Sequence, residues 1–277
     1  MRVTITRTVP VLRDPKDHGV FVQWDVHEAP SAELTFKLEH AAAPEGPFDV
    51  VIDGLKGFYF FDKFRGTPIP PAGATRENIN YLSITRSYYY RITATASNGD
   101  TAQHVLDLQN TLSPRRARLQ RKMLRDLSIG FKFNGTDTYV LKRKHWGIRC
   151  RKCFDVLTKK VTNSKCPVCY GVGLEGGFEN PVLIRGRFCA PNSNTDLTPQ
   201  GLSDVTKVRF LCSDYPNVDP LDILVDKKQN QRFIVQQQAQ TELQRNTVHQ
   251  SLVVSQLAQD SIEYRIPVNA DTAPVIY

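Results

Sequence analysis

Cys150-Arg151-Lys152-Cys153 and, after twelve intervening residues, Cys166-Pro167-Val168-Cys169 form the stretch from which the rest of the chain is placed. Each Cys-x-x-Cys turn presents two thiolates. Two such turns close a tetrahedron of four sulfurs around one ion, the geometry of structural zinc sites. The gap is slightly under the usual spacing of about fifteen to twenty residues, yet it leaves room for a short hairpin. Pro167 and Gly171 supply the sharp backbone that such turns need. Two disulfides, a redox pair and an iron site are the competing readings of these four cysteines. Catalytic zinc keeps an open coordination position and four cysteines leave none, so Cys150, Cys153, Cys166 and Cys169 are expected to hold a structural Zn2+ rather than to support an enzyme.

The chain has 277 residues, 40% hydrophobic and 23% charged, which allows two or three modest domains. Met1-Arg2-Val3-Thr4-Ile5-Thr6 alternates polar and apolar residues without an apolar h-region, so no signal peptide and a reducing compartment are expected. In that setting metal is favoured over disulfide as the fate of paired cysteines. No apolar run reaches membrane-spanning length, so no membrane partner is expected.

The net charge of +8 is concentrated. Residues 113–152 carry thirteen Lys or Arg against Asp126 and Asp137, or +11, and the remainder sums to −3. Arg115, Arg116, Arg118, Arg121, Lys122, Arg125, Lys142, Arg143 and Lys144 are therefore candidate contacts for a polyanion or an acidic partner.

The fold class expected is mainly β. Residues 1–107 alternate apolar and polar positions in several runs, among them Val20, Val22, Trp24 and Val26, then Leu34, Phe36 and Leu38, then Tyr88, Tyr90, Ile92, Ala94 and Ala96. Turn residues such as Asn98-Gly99 separate them, as in a sandwich. Residues 108–180 hold a basic helix and the cysteine turns. Ser113-Pro114 reads as its N-cap and first position, Leu119, Met123, Leu124 and Leu127 recur at helical spacing, and Gly130 is expected to end it. Asn134-Gly135 reads as a hairpin turn before the short strand of Tyr139, Val140 and Leu141. Residues 181–266 contain five or six short strands, expected to form a small barrel or sandwich, with the last of them over 262–266. The tail, 267–277, reads as extended, free to fray or to add a strand to a neighbouring subunit.

The six histidines are scattered. Only His145, five residues before Cys150, is placed to replace a sulfur ligand or to hydrogen-bond the sulfurs. Asp219 and Asp222 read as solvated turn residues, and Cys189 and Cys212 as small buried side chains. No nucleophile elbow is present, and no segment matches a carbohydrate-active catalytic domain in size.

Three resemblances follow from these motifs. Trp24, the run Glu45-Gly46-Pro47-Phe48-Asp49-Val50-Val51, and the late strand from Tyr88 to Ala94 closed by Ser97-Asn98-Gly99 resemble a fibronectin type III domain. That likeness implies a core role for Trp24 and a tyrosine-corner role for Tyr88. The connection over 62–87 is longer than that fold ordinarily has. Cys166-x-x-Cys169-x-Gly171-x-Gly173 resembles one repeat of Hsp40-type chaperones, but Cys150-Arg151-Lys152-Cys153 lacks the glycines and no His-Pro-Asp motif exists.

The better match is to virion structural proteins of tailed bacteriophages. It runs through Lys142-Arg143-Lys144, Gly147, Arg149-Cys150, Cys153, Asp155, Cys166, Cys169, Gly171, Gly173 and Gly176-Gly177-Phe178 to Pro181. Asp219-Pro220-Leu221-Asp222 with the strands after it is similar to small β-barrel connector proteins of the head–tail joint. This resemblance implies a non-enzymatic neck or head–tail connector component. It would be assembled in the host cytoplasm into the virion as a homo-oligomeric ring, beside portal, connector or tail subunits and packaged DNA. The alternative class is a zinc-ribbon nucleic-acid-binding protein, which the +11 segment motivates.

Overall fold

The computed structural model describes residues 1–11, 19–41, 44–63, 89–107, 114–192, 196–198, 201–203, 207–243, 246–268 and 275–276. The fold is mainly β, and the chain divides into two compact units. The expected corner residue Tyr88 and nearly all of the long connection, 64–88, lie outside the described residues.

The first unit is Met1–Arg125 with the short segment His145–Ile148. Its strands are β1 (Arg2–Val11), β2 (Gly19–His27), β3 (Leu34–Ala41), β4 (Asp49–Leu55), β5 (Tyr59–Lys63), β6 (Tyr89–Ala96) and β7 (Thr101–Asp107). They form two antiparallel sheets, one ordered β1-β2-β5 and the other β4-β3-β6-β7. In β6 alternation in the sequence becomes alternation in burial because successive strand side chains point to opposite faces, whereas β2 is buried on both faces, Phe21 and Gln23 as well as Val20, Val22 and Trp24. In β6, Tyr90, Ile92, Ala94 and Ala96 are buried while the residues between them are not. The sheets meet through aromatic side chains. The Trp24 ring of one lies 5.4 Å from the Phe36 ring of the other, and both are buried.

The helix α1 spans Pro114–Asn134, and the division between the units falls within it. It runs through Gly130 for one further turn, contrary to the expected stop. A single interior glycine costs only about 1 kcal/mol, less than the gain from seating the buried Phe131 in that added turn. The true end is Gly135, whose N–H donates to the Phe131 carbonyl at 2.8 Å, so Asn134-Gly135 closes a helix instead of turning a hairpin.

The second unit is Asp126–Lys144 with Arg149–Tyr277. Its strands are β8 (Thr136–Leu141), β9 (Phe154–Asp155), β10 (Lys160–Val161), β11 (Val182–Asn192), β12 (Asp196–Thr198), β13 (Gly201–Ser203), β14 (Lys207–Ser213), β15 (Ile223–Asp226), β16 (Arg232–Leu243), β17 (Asn246–Gln256) and β18 (Val275–Ile276). The order β14-β17-β16-β15-β8-β11, closed by pairing of β11 with β14, is a six-stranded barrel. Closure removes sheet edges. Barrel, not sandwich, is thus the architecture of this unit. It recruits β8 from ahead of the cysteine turns, with Tyr139, Val140 and Leu141 buried.

Residues 262–265 form a 3-10 helix where a strand was expected. The Arg232 guanidinium donates to the Glu263 and Ile266 carbonyls, which draws the segment into a turn over the barrel. The tail strand β18 pairs in parallel with Leu183 and Ile184 of β11, in the same chain. Among the described residues no helix is long and apolar enough to cross a membrane.

Candidate metal centre

The cysteine turns are built by backbone hydrogen bonds that need no metal to be traced. Phe154 N–H donates to the Cys150 carbonyl at 3.0 Å, and Tyr170 N–H to the Cys166 carbonyl at 2.9 Å, so the two halves repeat one turn. Between them β9 and β10 pair as a miniature hairpin. Thr162 N–H and its hydroxyl both donate to the Cys153 carbonyl, at 2.8 and 2.9 Å, and Cys150 N–H reaches the Gly173 carbonyl at 2.9 Å.

Three glycines beside the cysteine turns are sterically required. Gly171 has φ +80° and a Cβ there would fall 2.7 Å from the Ser164 carbonyl oxygen. Gly173 has φ +87° and a Cβ there would fall 2.7 Å from Val161 Cγ2; Gly177 has φ +62° and a Cβ would fall 2.5 Å from the Cys169 carbonyl oxygen.

All four thiols are buried, and their sulfurs lie within 4.8 Å of one another. Cys150 Sγ is 3.8 Å from Cys166 Sγ, and Cys153 Sγ is 3.1 Å from Cys169 Sγ. A disulfide requires about 2.05 Å, so these are not bridged pairs, and all six cysteines are free. Sulfurs about 2.3 Å from a tetrahedral ion lie about 3.8 Å apart, which is the Cys150–Cys166 separation. The cluster therefore fits a metal ion. Backbone N–H groups of Val168 and Cys169 pull the Cys166 thiol down to about 7, whereas burial pushes the Cys150 and Cys153 thiols up. A bound cation would relieve the cost of ionising the buried Cys150 and Cys153 thiols.

His145 is not among the ligands. Its Nδ1 lies 3.0 Å from Asp25 Oδ2, and His145–Ile148 belongs to the first unit.

The basic residues divide. Lys122 and Arg125 are exposed on α1; Arg115, Arg116, Arg118 and Arg121 are in the same helix, with side chains outside the described set. Arg143 and Lys144 are half-buried, and Lys144 Nζ donates to the Glu175 carbonyl at 3.1 Å. Lys142, expected on a polyanion-facing surface, is buried and held by Asp219 and Asp222 at 2.5 and 3.1 Å. Burial alone would lower its pKa; the two carboxylates outweigh it and raise the ammonium above the ordinary lysine value.

Asp222, by sequence a solvated turn residue, is instead almost fully buried. Besides Lys142 it accepts the N–H groups of Arg143 and Asp219, each at 2.8 Å. The same loop is held from the other side by buried Gln250, which donates to the Ser213 and Pro216 carbonyls at 2.8 Å and accepts the Val218 N–H at 3.1 Å. Cys212 is buried as expected, whereas Cys189 is half-buried. No known family model matches the sequence, and no curated protein matches it.

Proposed function

We propose that this chain is a non-enzymatic structural component of a tailed-phage virion, a multi-copy part of the neck or head–tail connector, with Zn2+ held by Cys150, Cys153, Cys166 and Cys169. The observation that carries the reading is the closed set of four buried sulfurs. Such a set fixes a segment too small to build its own core and leaves no position for substrate. The β-sheet unit around Trp24 and Phe36 supports a fibronectin type III-like module, and the six-stranded barrel supports the connector-like half of the resemblance.

The zinc-ribbon nucleic-acid alternative has less behind it. Phe131, Tyr139 and Trp146, three of the four aromatics in the basic segment, are buried and offer no face for base stacking. The test is direct. Purified particles should contain the chain in several copies, and the isolated protein should carry one zinc per chain. Particles that lack the chain sink the virion reading; a metal-free, fully folded protein sinks the zinc assignment.

A further inference from the structure

The hairpin that joins the two cysteine turns exposes the wrong kind of residue for a solvated loop. Val156 is 78% exposed and Leu157 93% exposed, side by side at its tip. Their backbone is fixed. Asp155 accepts the Leu157 N–H at 2.9 Å and the Thr158 hydroxyl at 2.7 Å, and Cys153 lies two residues before it. Around the tip, Arg151, Lys152, Lys159 and Lys160 are exposed and join no ion pair among the described residues. Residues 151–160 thus carry +3, four cations less Asp155.

A rigid apolar knob in a cationic collar has the form of an interface anchor, because an ordered aliphatic pair loses little entropy on entering a socket.

The chain itself carries a complementary surface. Strand β4 ends the four-stranded sheet, leaving one edge without a strand neighbour among the described residues. Val50 on it is 55% exposed, with Glu45, Asp49 and Asp53 exposed nearby. Residues 45–53 carry −3 and no Lys or Arg. An exposed apolar edge flanked by carboxylates is a site that another polypeptide covers.

Resting on the multi-copy reading above, we propose that the Val156–Leu157 tip of one copy docks on the β4 edge of a second copy of this chain. The two surfaces differ, so the contact is heterologous: a docked pair keeps one free tip and one free edge, and repetition closes a ring or extends a filament.

The test uses full-length, metal-loaded protein and measures mass by sedimentation at about 100 µM, where a micromolar contact is saturated. Wild type should be multimeric, and association should weaken from about 0.05 M to about 0.5 M salt as the charges are screened. Leu157→Asp, Lys159→Glu/Lys160→Glu and Asp49→Lys/Asp53→Lys should each weaken association about tenfold or more with metal content unchanged. Combining the Lys159→Glu/Lys160→Glu and Asp49→Lys/Asp53→Lys pairs in one chain should restore it.

A multimer whose mass these variants leave unchanged overturns this contact and spares the multi-copy reading. A wild-type monomer at that concentration, or a combined variant that stays dissociated, overturns the contact as well. Loss of binding to a DNA duplex or to phosphatidylserine vesicles in Lys159→Glu/Lys160→Glu, with mass unaltered, assigns the tip to that other ligand and overturns self-docking. Absence of the chain from particles is the separate result that defeats the virion reading.

Discussion

Lys142 Nζ lies 3.1 Å from Asp222 Oδ2, and both side chains are buried in the barrel unit. Asp222 also holds the Arg143 and Asp219 N–H groups, so its carboxylate joins the end of β8 to the loop before β15. Asp222→Ala should cost about 3–5 kcal/mol, since it leaves a buried ammonium facing only Asp219. Lys142→Met should cost less, because Asp222 keeps two backbone donors. The double variant should stay destabilised, since those two N–H groups are still orphaned. Urea unfolding of the three variants checks the order; equal costs for both single changes would contradict it.

The metal site gives a second prediction. Cys150→Ser or Cys166→Ser should lose the bound ion and destabilise the cysteine turns by several kcal/mol, leaving the first unit folded. Amide exchange on the full chain, with and without a strong chelator, separates the two. Protection should fall over 150–177 and hold in β3 and β6. Unchanged protection over the turns in chelator contradicts the clasp role.

Glycines around the site rank themselves by what a methyl group meets. Gly177→Ala places Cβ against the Cys169 carbonyl oxygen, which is backbone and cannot swing away; Gly173→Ala meets only the tip of Val161. Both also sit at positive φ, a penalty of about 1–2 kcal/mol. Gly177→Ala should therefore be the more damaging and should lower zinc affinity. Gly54→Ala, with positive φ but open space around it, isolates the backbone penalty. Competition titration with a colorimetric zinc chelator ranks Gly177→Ala and Gly173→Ala, and urea unfolding of the first unit reads Gly54→Ala.

In the first unit, buried Asp62 Oδ2 accepts the Tyr90 hydroxyl at 2.9 Å and lies 3.1 Å from His40 Nδ1. The hydrogen bond to Asp62 raises the His40 pKa above its ordinary value, against the opposing effect of burial. A raised folded-state pKa stabilises fully below the unfolded value and is lost as pH rises through the folded one. Stability of this unit should thus fall as pH rises past the unfolded histidine value of about 6.5 and through the raised folded one. His40→Gln should flatten that slope in thermal melts. A slope unchanged in the variant would assign the pH dependence elsewhere.

What the sequence made legible was local. Period-2 alternation in β6, and in β3 as far as Leu38, depends only on neighbours two residues apart, and it became alternating burial. Cysteine spacing encodes its own chemistry, and the four thiols meet. The misread features depend on distant partners. Lys142 and Asp222 are 80 residues apart, and nothing near either marks it as buried. The 3-10 turn at Ile262–Arg265 is held by Arg232, from β16. His145 was read by its nearness to Cys150, yet its partner Asp25 lies 120 residues away.

The same remoteness makes Trp146 informative. Four residues before Cys150 in sequence, it is buried within the first unit, its ring edge-on to Phe36 at 5.8 Å. Trp146→Ala removes a large apolar side chain from that packing and should cost about 3–5 kcal/mol. The chain has two tryptophans, so the variant leaves Trp24 as the sole indole reporter of the core it sits in. Its fluorescence should show the first unit unfolding at lower urea, while zinc content stays at the wild-type level, because the four sulfurs are untouched. A cycle with Phe36→Leu should return a coupling of about 0.5–1.5 kcal/mol for the aromatic pair. Additive effects, or a midpoint that does not move, would contradict a packing role for Trp146.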